Sequence, residues 1–412
     1  MSEWQEYRLD EIGQIVGGGT PSSKVDTYWA GGVGWITPAD LSGYQFKHIS
    51  NGSRNITELG LKKSSAKLHP KNTVLMTSRA PIGYLAIADK PVATNQGFQS
   101  IRCNKDIADF NFIYYLLSAY KEGIAYIASG ATFPELSGSK VKQYKIKLPS
   151  LPTQQKIAKI LSNYDDLIDN NLKRIKLLEE SARLTYEEWF LRFRIDGKKL
   201  EINPETNLPF GWEKKSITEC NIFKQDKRKV KEFEGEKVYY ATADIDGTAI
   251  TAEGETINWD NKPSRAQIKP NNNTVWFARM SNTYKVLCFN NKNINLQDNS
   301  VLSSGFAGFY AKNDLCLPFL YFTVNSRFFH ELKDLYATGA TQVSLNNDSM
   351  SFIKIIEPSS ELIEEFGSMI LPSIEETSIL RSRNQLLKEA RDILLPRLMT
   401  GMIDTDDMDI AI

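Results

Sequence analysis

The chain has 412 residues, with 50 Lys and Arg against 50 Asp and Glu and 41% hydrophobic side chains. This composition excludes a disordered tail protein and a collagen-like fibre, and the length predicts more than one domain. No apolar run approaches the ~18 residues that span a membrane, and residues 1–4 do not resemble the start of a secretory signal. Four scattered cysteines argue against a zinc ribbon or disulfide framework and fit a reducing cytoplasm: Cys103, Cys220, Cys288 and Cys316.

The charge is unevenly distributed along the chain. Residues 1–150 carry 17 basic and 12 acidic side chains, whereas residues 358–412 carry 5 and 11. A protein that binds nucleic acid alone usually has a strong basic excess, because neutralising phosphates supplies much of its affinity. Either this chain does not bind nucleic acid, or it reads sequence while a partner contacts much of the backbone.

Residues 1–150 are predicted to form a first domain of mixed α and β structure. Short β-rich runs such as 73–77 alternate with Gly, Pro and Asn, which is typical of strands joined by turns. The apolar run at 110–120 predicts a buried or amphipathic helix.

Residues 151–203 are predicted to form a long helix and a linker. Beyond Pro152, seam residues recur at alternating spacings of four and three, which is typical of a coiled coil. Residues 153–192 would span roughly 60 Å at ~1.5 Å per residue. The predicted seam consists of Ile157, Leu161, Tyr164, Ile168, Asn171, Ile175, Leu178, Ala182, Thr185 and Trp189.

Residues 204–357 repeat the first domain. Four segments match in the same order, which indicates a tandem duplication. A strand is predicted at 274–278 and a helix at 318–332, and the turn-rich run 203–209 reads as the linker between the copies. The matching segments are 34–43 with 239–247, 66–74 with 266–275, 129–132 with 338–341, and 144–150 with 353–359.

Residues 358–412 repeat the long helix. Ser373 and Arg391 interrupt its seam, and Pro372 predicts a kink or a restart. If the two helices pair about a twofold axis, they must be antiparallel, and Asn171 then lies opposite Asn384. A buried polar pair there would fix the register; the alternative is that each asparagine faces solvent. The seam here consists of Phe366, Ile370, Thr377, Leu380, Leu387, Leu394 and Leu398.

The sequence lacks recognisable catalytic machinery. His48, His69 and His330 have no metal-ligand spacing, and there is no phosphate-binding Gly-x-x-x-x-Gly-Lys-Ser/Thr loop. Nor is there an Asn/Asp-Pro-Pro-Tyr/Phe run of the kind that adenine methyltransferases carry. We therefore predict no catalytic residue, no metal and no cofactor on this chain.

Three short motifs stand out in the first domain, at residues 17–22 (GGGTPS), 77–83 (TSRAPIG) and 94–98 (TNQGF). With further segments along the chain, they resemble the specificity (S) subunits of type I restriction–modification systems, and the resemblance covers essentially the whole chain. The second copy departs from this pattern at 225–227 and 279–282, so contacts cannot be transferred between the copies. The other matching segments are 129–133, 148–157, 186–190, 208–213 and 394–401.

The resemblance implies an α+β fold in which two target-recognition domains are separated by two long antiparallel coiled-coil helices. Each domain is implied to read one half of a bipartite double-stranded DNA target. The helices are implied to set the gap and to dock two adenine methyltransferase subunits, which restriction and translocase subunits then join. S-adenosylmethionine is expected on the methyltransferase, and the location is expected to be a prokaryotic cytoplasm.

Two other functions stay open from the sequence. The first is a coiled-coil scaffold whose globular ends bind protein rather than DNA. The second is a single-chain restriction or modification enzyme, which the missing motifs disfavour.

Candidate base-reading side chains follow from groove chemistry, since Arg and Lys suit guanine and Asn and Gln suit adenine. Hydroxyls and the basic run at 224–231 are candidates for phosphate contacts. The base-reading candidates are Lys24, Arg79, Asn95, Gln96, Arg279, Asn282, Gln297 and Gln342, and the phosphate candidates are Thr20, Ser22, Thr132, Lys227, Arg228, Lys229 and Thr341.

Each candidate also has a structural interpretation. Arg79 and Arg279 could form internal salt bridges, and Asn95 and Gln96 could stabilise a turn. Residues 129–132 and 338–341 could cap helices, and the basic run could be a solvated loop. For helix pairing and partner docking we expect Ile157, Leu161, Ile168, Asn171, Ile175, Leu178, Trp189, Phe190, Leu380, Asn384, Leu387, Leu394 and Leu398.

Overall fold

The computed structural model describes residues 4–79, 81–128, 135–339 and 343–405. The chain forms two compact units: the first unit comprises residues 1–170 and 384–412, and the second unit comprises residues 171–383. The predicted domain limits at 150, 203 and 357 stay a prediction.

The first unit is built on two main sheets. One has the strand order β2-β9-β6-β7-β4 and the other the order β3-β8-β5, while β1 pairs with β10. The strands are β1 Gln5–Arg8, β2 Gly13–Gly17, β3 Trp29–Ile36, β4 His48–Ile49, β5 Leu68–His69, β6 Val74–Met76, β7 Leu85–Ala88, β8 Val92–Thr94, β9 Gln99–Cys103 and β10 Lys145–Leu148.

The second unit repeats this plan. One sheet has the order β14-β23-β20-β21 and another the order β18-β15-β22-β19, while β13 pairs with β24 as β1 pairs with β10. The strands are β11 Arg194–Ile195, β12 Lys198–Lys199, β13 Glu213–Ser216, β14 Phe223–Asp226, β15 Lys237–Tyr240, β16 Ile245–Asp246, β17 Ala249–Ile250, β18 Glu255–Ile257, β19 Ala266–Ile268, β20 Thr274–Ala278, β21 Val286–Phe289, β22 Ser300–Ser303, β23 Phe306–Ala311 and β24 Lys354–Glu357.

The helices include two long ones, α6 and α10. The five residues after α6, Glu187–Leu191, are π-helical. The α-helices are α1 Pro38–Leu41, α2 Glu58–Lys62, α3 Phe110–Ala119, α4 Lys121–Tyr126, α5 Gly138–Gln143, α6 Leu151–Tyr186, α7 Ile294–Asn299, α8 Leu317–Val324, α9 Arg327–Leu335 and α10 Ser360–Met399, and 3₁₀ turns occur at Asp26–Tyr28, Thr242–Asp244, Asp314–Cys316 and Ser349–Phe352.

A repeated turn shows the duplication directly. In the first unit Asp40 Oδ2 accepts a hydrogen bond from Thr37 N at 2.8 Å, and in the second unit Asp244 Oδ2 accepts one from Ala241 N at 2.7 Å. Both carboxylates satisfy a backbone donor three residues earlier. Aligning 34–43 with 239–247 by sequence, with one gap, pairs Thr37 with Thr242. The structure corrects this pairing, because Ala241 occupies the position of Thr37 and no gap is needed.

The single helix predicted at 318–332 is wrong, because α8 ends at Val324 and α9 starts at Arg327. Ser326 Oγ accepts a hydrogen bond from Phe329 N at 3.1 Å and so caps α9. The restart predicted at Pro372 is also wrong, because α10 runs through it. Buried Ile370 and Ile374 on either side stabilise the helix despite the missing N–H.

In the first unit, α6 and α10 run antiparallel. Ile157 and Lys156 on α6 lie near the end of α10, where Lys156 Nζ donates to Thr405 O, six residues beyond that helix, at 3.2 Å, and Asp165 Oδ1 accepts from Arg391 Nη1 at 2.6 Å. Ile157 and Leu161 pack with Leu398 and Met399 in the same core as α3 and the larger sheet. Residues further along α6 therefore contact residues that come earlier in α10, as antiparallel helices require.

In the second unit, the same two helices also run antiparallel. Arg174 Nη2 lies 3.0 Å from Glu376 Oε1, and Tyr186 and Phe366 pack with ring centroids 6.1 Å apart. Trp189 and Phe190 are buried in this aromatic core, with the Phe190 and Phe366 rings 5.0 Å apart. These two side chains therefore stabilise the second unit from within.

The two seam asparagines are buried, with Asn171 8% and Asn384 5% exposed, so the alternative in which each faces solvent is wrong. Asn384 Nδ2 donates to Ile168 O at 3.5 Å within the first unit. Pairing of the two side chains stays a prediction.

Candidate nucleic-acid interface

In the first unit, three loops converge beside strand β8. Gly19 N donates to Thr94 O at 2.9 Å, and the Thr20 hydroxyl hydrogen-bonds the Gln96 side-chain oxygen. Ser78 N donates to Gly97 O at 2.7 Å, which attaches the loop after β6 to the same turn. The structure therefore brings the predicted residues Thr20, Arg79 and Gln96 onto neighbouring loops.

The glycines of this region allow main chain to pack on main chain. A Cβ on Gly18 would lie 2.0 Å from Asn95 O and 2.4 Å from Thr94 O, and one on Gly19 would lie 2.3 Å from Ser65 Oγ. These approaches exclude any larger residue without movement of the backbone. Gly18 and Gly19 are thus required for the packing of the two loops, whereas a Cβ on Gly17 would meet nothing nearer than 3.8 Å.

Two tryptophans hold the loop at 17–24 from its other side. Trp35 Nε1 donates to Gly19 O at 3.0 Å, and Trp29 Nε1 donates to Ser22 O at 3.1 Å. The two rings pack edge to face with centroids 5.1 Å apart. Ser22 and Lys24 follow this anchored turn with exposed side chains.

The predicted residues of this loop cluster also make internal contacts. Asn95 Oδ1 accepts from Gly97 N at 2.9 Å, as the turn-stabilising interpretation expects. Arg79 forms the internal salt bridge that was its alternative interpretation, with Nε 2.9 Å from Glu135 Oε1. Both partners are about half exposed, so the Arg79 guanidinium still reaches solvent.

In the second unit, Arg279 occupies the position of Arg79 but has different partners. Its Nε donates to Phe306 O at 2.9 Å, its Nη1 to Leu345 O at 3.2 Å, and its Nη2 to Asn347 Oδ1 at 2.9 Å. The internal salt bridge suggested for Arg279 is wrong, because these acceptors are neutral oxygens. Burial lowers the pKa of this guanidinium below its ordinary value.

Asn282 lies on the loop that follows Arg279, and its side chain is exposed. Its backbone has a φ of +55°, in the left-handed region. It lines a cleft of about 380 Å³ together with Thr242, Asp246, Tyr284 and Lys285, which we call the Asn282 cleft. A side-chain amide at the rim of a cleft is suited to hydrogen-bonding a base edge.

The prediction that Gln297 contacts DNA is wrong, because only 4% of this residue is exposed. Its Nε2 donates to Asn290 O at 2.6 Å and to Asn293 Oδ1 at 2.9 Å. The amide closes the turn between β21 and α7. In the sequence this stretch is polar and turn-rich, which conceals its burial.

The charged residues of the basic run at 224–231 have different roles. The Arg228 guanidinium binds the buried carboxylate of Asp226, with Nε 2.9 Å from Oδ1, and its pKa is raised by that hydrogen bond. It also lies over the Tyr310 ring at 5.5 Å. Lys227 and Lys229 are exposed and stay candidates for phosphate contacts. Thr132, Thr341 and Gln342 lie outside the described residues.

Two groups of functional candidates were missed from the sequence. Asp334 and Lys333 on α9 contact the loop that carries Asn282, from more than 50 residues away. A second set of apolar side chains on the long helices is exposed, separate from the buried seam: Leu177 and Leu184 in the second unit, and Leu386 and Ile393 in the first. Its spacing of seven was the signal available in the sequence.

No cluster of three or more His, Cys, Asp or Glu side chains able to hold a metal occurs among the residues that the structure describes. No helix in those residues has both the length and the apolar character needed to cross a membrane.

Comparisons with known proteins agree along the whole chain. Residues 1–180 match the family model for the type I restriction modification DNA specificity domain. The chain is 32% identical to the type I restriction enzyme MjaIX specificity subunit of Methanocaldococcus jannaschii, over 98% of this chain and 95% of that protein. It is 25% identical to the HindI specificity subunit of Haemophilus influenzae, over 98% and 100% of the two chains. The crystal structure of a type I restriction–modification S subunit from M. genitalium has a similar fold, with a TM-score of 0.59, 17% identity and 96% coverage of both chains.

Proposed function

The chain belongs to the specificity subunits of type I restriction–modification systems, and from this premise we propose that it reads a split DNA sequence, one half with each unit. Membership of this family confirms the prediction of a DNA-specificity subunit with the α+β duplicated fold. Specificity subunits are non-catalytic components that assemble with other subunits of the system and bind DNA.

The proposal rests on one loop position that the two units share. An arginine occupies this position in both units, but its contacts differ between them. Arg79 lies on a loop fixed by backbone hydrogen bonds in the first unit, and Arg279 lies on the equivalent loop of the second unit with different partners. Arg is the side chain best suited to guanine, and Asn282 is suited to adenine. Units that share a fold but differ in their loops are suited to reading two different half-sites.

The helices support the second part of the proposal, in which they set the gap between the half-sites. Helix α6 has 36 residues and α10 has 40, which correspond to about 54 Å and about 60 Å of helix. Their buried seam stabilises the helix pair within each unit, and a continuous helix has a fixed rise per residue.

We assign docking of two methyltransferase subunits to the exposed apolar side chains of the long helices rather than to the buried seam. Leu177 and Leu184 lie seven residues apart on α6 with exposed side chains, and exposed apolar side chains on one face of a helix are typical of a protein interface. Restriction and translocase subunits then join this core, and the methyltransferase supplies the S-adenosylmethionine site.

The docking assignment is tested by replacing Leu177 and Leu184 together with Gln. Co-purification with the methyltransferase should be lost, while Lys176→Gln, an exposed change on the same turn, should leave it intact. Retention of the complex by the double variant would contradict the assignment.

The reading function is tested by co-expressing the chain with a type I methyltransferase subunit and mapping methylated adenines at single-base resolution. Two short specified runs separated by a fixed gap are expected. If the subunits co-purify with methyl donor but methylate no motif, and Arg79→Ala and Arg279→Ala change nothing, the globular ends act as protein-binding scaffold instead.

A further inference from the structure

Helix α9 ends beside the loop that carries Asn282, and it brings a buried charge there. Lys333 is 0% exposed, and its Nζ donates to Met280 O at 2.8 Å and to Asp334 Oδ1 at 2.6 Å. A buried ammonium is tolerated only when it is paired and hydrogen-bonded. One end of the loop is therefore attached to α9 through this lysine.

Asp334 attaches the remainder of the loop. Its Oδ1 also accepts from Asn282 N at 3.1 Å, and its Oδ2 accepts from the Tyr284 hydroxyl at 3.1 Å. Burial alone would raise the pKa of Asp334, but the hydrogen bonds from Lys333, Asn282 and Tyr284 hold it below its ordinary value. One ionised carboxylate thus contacts two loop residues and the buried lysine.

The backbone of Asn282 adopts a left-handed conformation that a hydrogen bond to Asp334 fixes in place. Its φ of +55° is one that most residues avoid but that asparagine adopts more readily than other residues with a Cβ. The hydrogen bond from Asn282 N to Asp334 holds this turn, and the turn places the Asn282 side chain at the rim of the Asn282 cleft. Loss of the carboxylate would free both Asn282 and Tyr284 to move.

The other polar side chain of α9 in this region does not orient the loop by hydrogen bonding. His330 packs against the Tyr284 ring with centroids 5.0 Å apart, and its two buried ring nitrogens have no hydrogen-bond partner within the described residues. Burial and the Lys333 cation lower its pKa to about 4, so the ring is neutral near pH 7. His330 therefore packs against the loop, whereas Asp334 fixes the orientation of the loop through hydrogen bonds.

We propose that Asp334, supported by Lys333, is a positioning residue that sets the base preference of the half-site read by the second unit. It acts through Asn282 and its loop and does not itself touch DNA. The inference rests on the proposed function, since it assigns to this loop the reading of one half of the target.

The test compares methylation maps of the Asp334→Asn chain and the native chain, each in complex with the methyltransferase. Asp334→Asn is close in shape but cannot balance the charge of Lys333. We expect discrimination to fall roughly tenfold or more at one or two base positions of one half-site. The other half-site and the gap should stay unchanged, which a general folding defect would not produce.

Two further variants provide a matched control and a second test of the same contacts. Glu331→Gln, one turn earlier on α9 in an exposed ion pair with Arg327, is the matched control and should leave the map unchanged. Tyr284→Phe removes one hydrogen bond to Asp334 and should relax the same base positions to a smaller extent, even if Asp334→Asn folds poorly.

An unaltered motif, methylated at native rates by both the Asp334→Asn and Tyr284→Phe chains, would overturn the inference while leaving the proposed function intact. A uniform loss in both half-sites would also overturn it. A native complex that methylates no split motif would contradict the proposed function itself.

Discussion

The two units fix equivalent loops in different ways. In the first unit, Thr77 Oγ1 donates to Pro81 O at 2.6 Å and Ser78 N donates to Gly97 O at 2.7 Å, and Arg79 pairs with Glu135. In the second unit, the loop after β20 also has main-chain hydrogen bonds, from Arg279 N to Gly305 O at 2.9 Å and from Ser281 N to Val343 O at 3.0 Å. What the second unit adds is a pair of charged side chains from α9, Lys333 and Asp334, which contact the loop and each other.

The comparison teaches how one fold can read two sequences. The sheets and the turn at Asp40 and Asp244 are retained, so the loops start from the same framework. The loop supports differ, so each loop can change without altering the other unit.

The largest expected effect concerns the charges that join α6 to α10. In the first unit Asp165 is buried and binds both Arg391 and the Tyr115 hydroxyl, whereas Glu179 and Arg381 in the second unit are partly exposed. Asp165→Asn should destabilise the first unit by about 3 kcal/mol, because it leaves Arg391 partly buried without its main counter-charge. Glu179→Gln should cost the second unit less than about 1 kcal/mol.

Hydrogen–deuterium exchange checks this comparison, because it reports each unit separately. Exchange should increase in α6 residues 157–168 for the first variant and change little in residues 175–186 for the second. Equal effects in the two units would contradict the difference in burial.

The next prediction concerns the stability of the second unit at acid pH. Burial, aided by the Lys333 cation, lowers the pKa of His330 from its ordinary 6.5 to about 4, so the unfolded state binds the proton more readily. The contribution of neutral His330 to the free energy of unfolding is therefore complete above about pH 6.5. About 3 kcal/mol of that free energy is lost as the pH falls towards 4.

His330→Phe should remove that part of the pH dependence in the second unit. His69 has the same depressed pKa in the first unit, mainly through burial, so His69→Phe should act there alone. Urea unfolding at pH 7 and pH 4.5 measures both. A His330→Phe chain as acid-sensitive as the native chain would show that the imidazole is not kept neutral.

The glycine contacts of the first unit give a smaller expected effect. Gly18→Ala places a Cβ against Asn95 O and Thr94 O, which should destabilise the first unit by about 2 kcal/mol and weaken recognition of one half-site. Gly32→Ala is the matched control, because its Cβ would meet nothing within 4 Å. Thermal unfolding and the methylation map together distinguish loop displacement from a general loss of stability.

The weakest effects are expected for the paired arginines. Arg79→Ala removes a half-exposed ion pair and should change stability by less than about 1 kcal/mol. Arg279→Ala removes two partly buried hydrogen bonds and one exposed hydrogen bond and should cost about 1.5 kcal/mol. Urea midpoints measured side by side check the order. A larger loss from Arg79→Ala would reverse the assigned roles.

Much of the architecture was predictable from the sequence, because it depends on local periodicity and on the repeat. The heptad pattern identified the buried seam, and the predicted strand at 274–278 coincides with β20. The helix at 110–120 corresponds to α3, Phe110–Ala119. The apolar run at 318–332 failed as a single helix, because its pattern concealed the cap at Ser326.

The site was less predictable, because its contacts join residues that are distant in sequence. Lys333 and Asp334 are charged residues on a helix, and the sequence alone suggests a solvated face for them. Gln297 has a suitable side chain for adenine but is buried by the turn around Asn290 and Asn293. The residue type predicted which contacts each side chain could make, whereas burial in the fold determined which side chains can reach a ligand.

Independent reading by the two units is tested most directly by a methylation map of a chimaera in which residues 1–150 are replaced by the matching segment of a relative with a different target. If each unit reads one half-site, one half of the motif should change to that of the relative, while the other half and the gap stay the same. A change in both halves, or in the gap, would contradict independent reading by the two units.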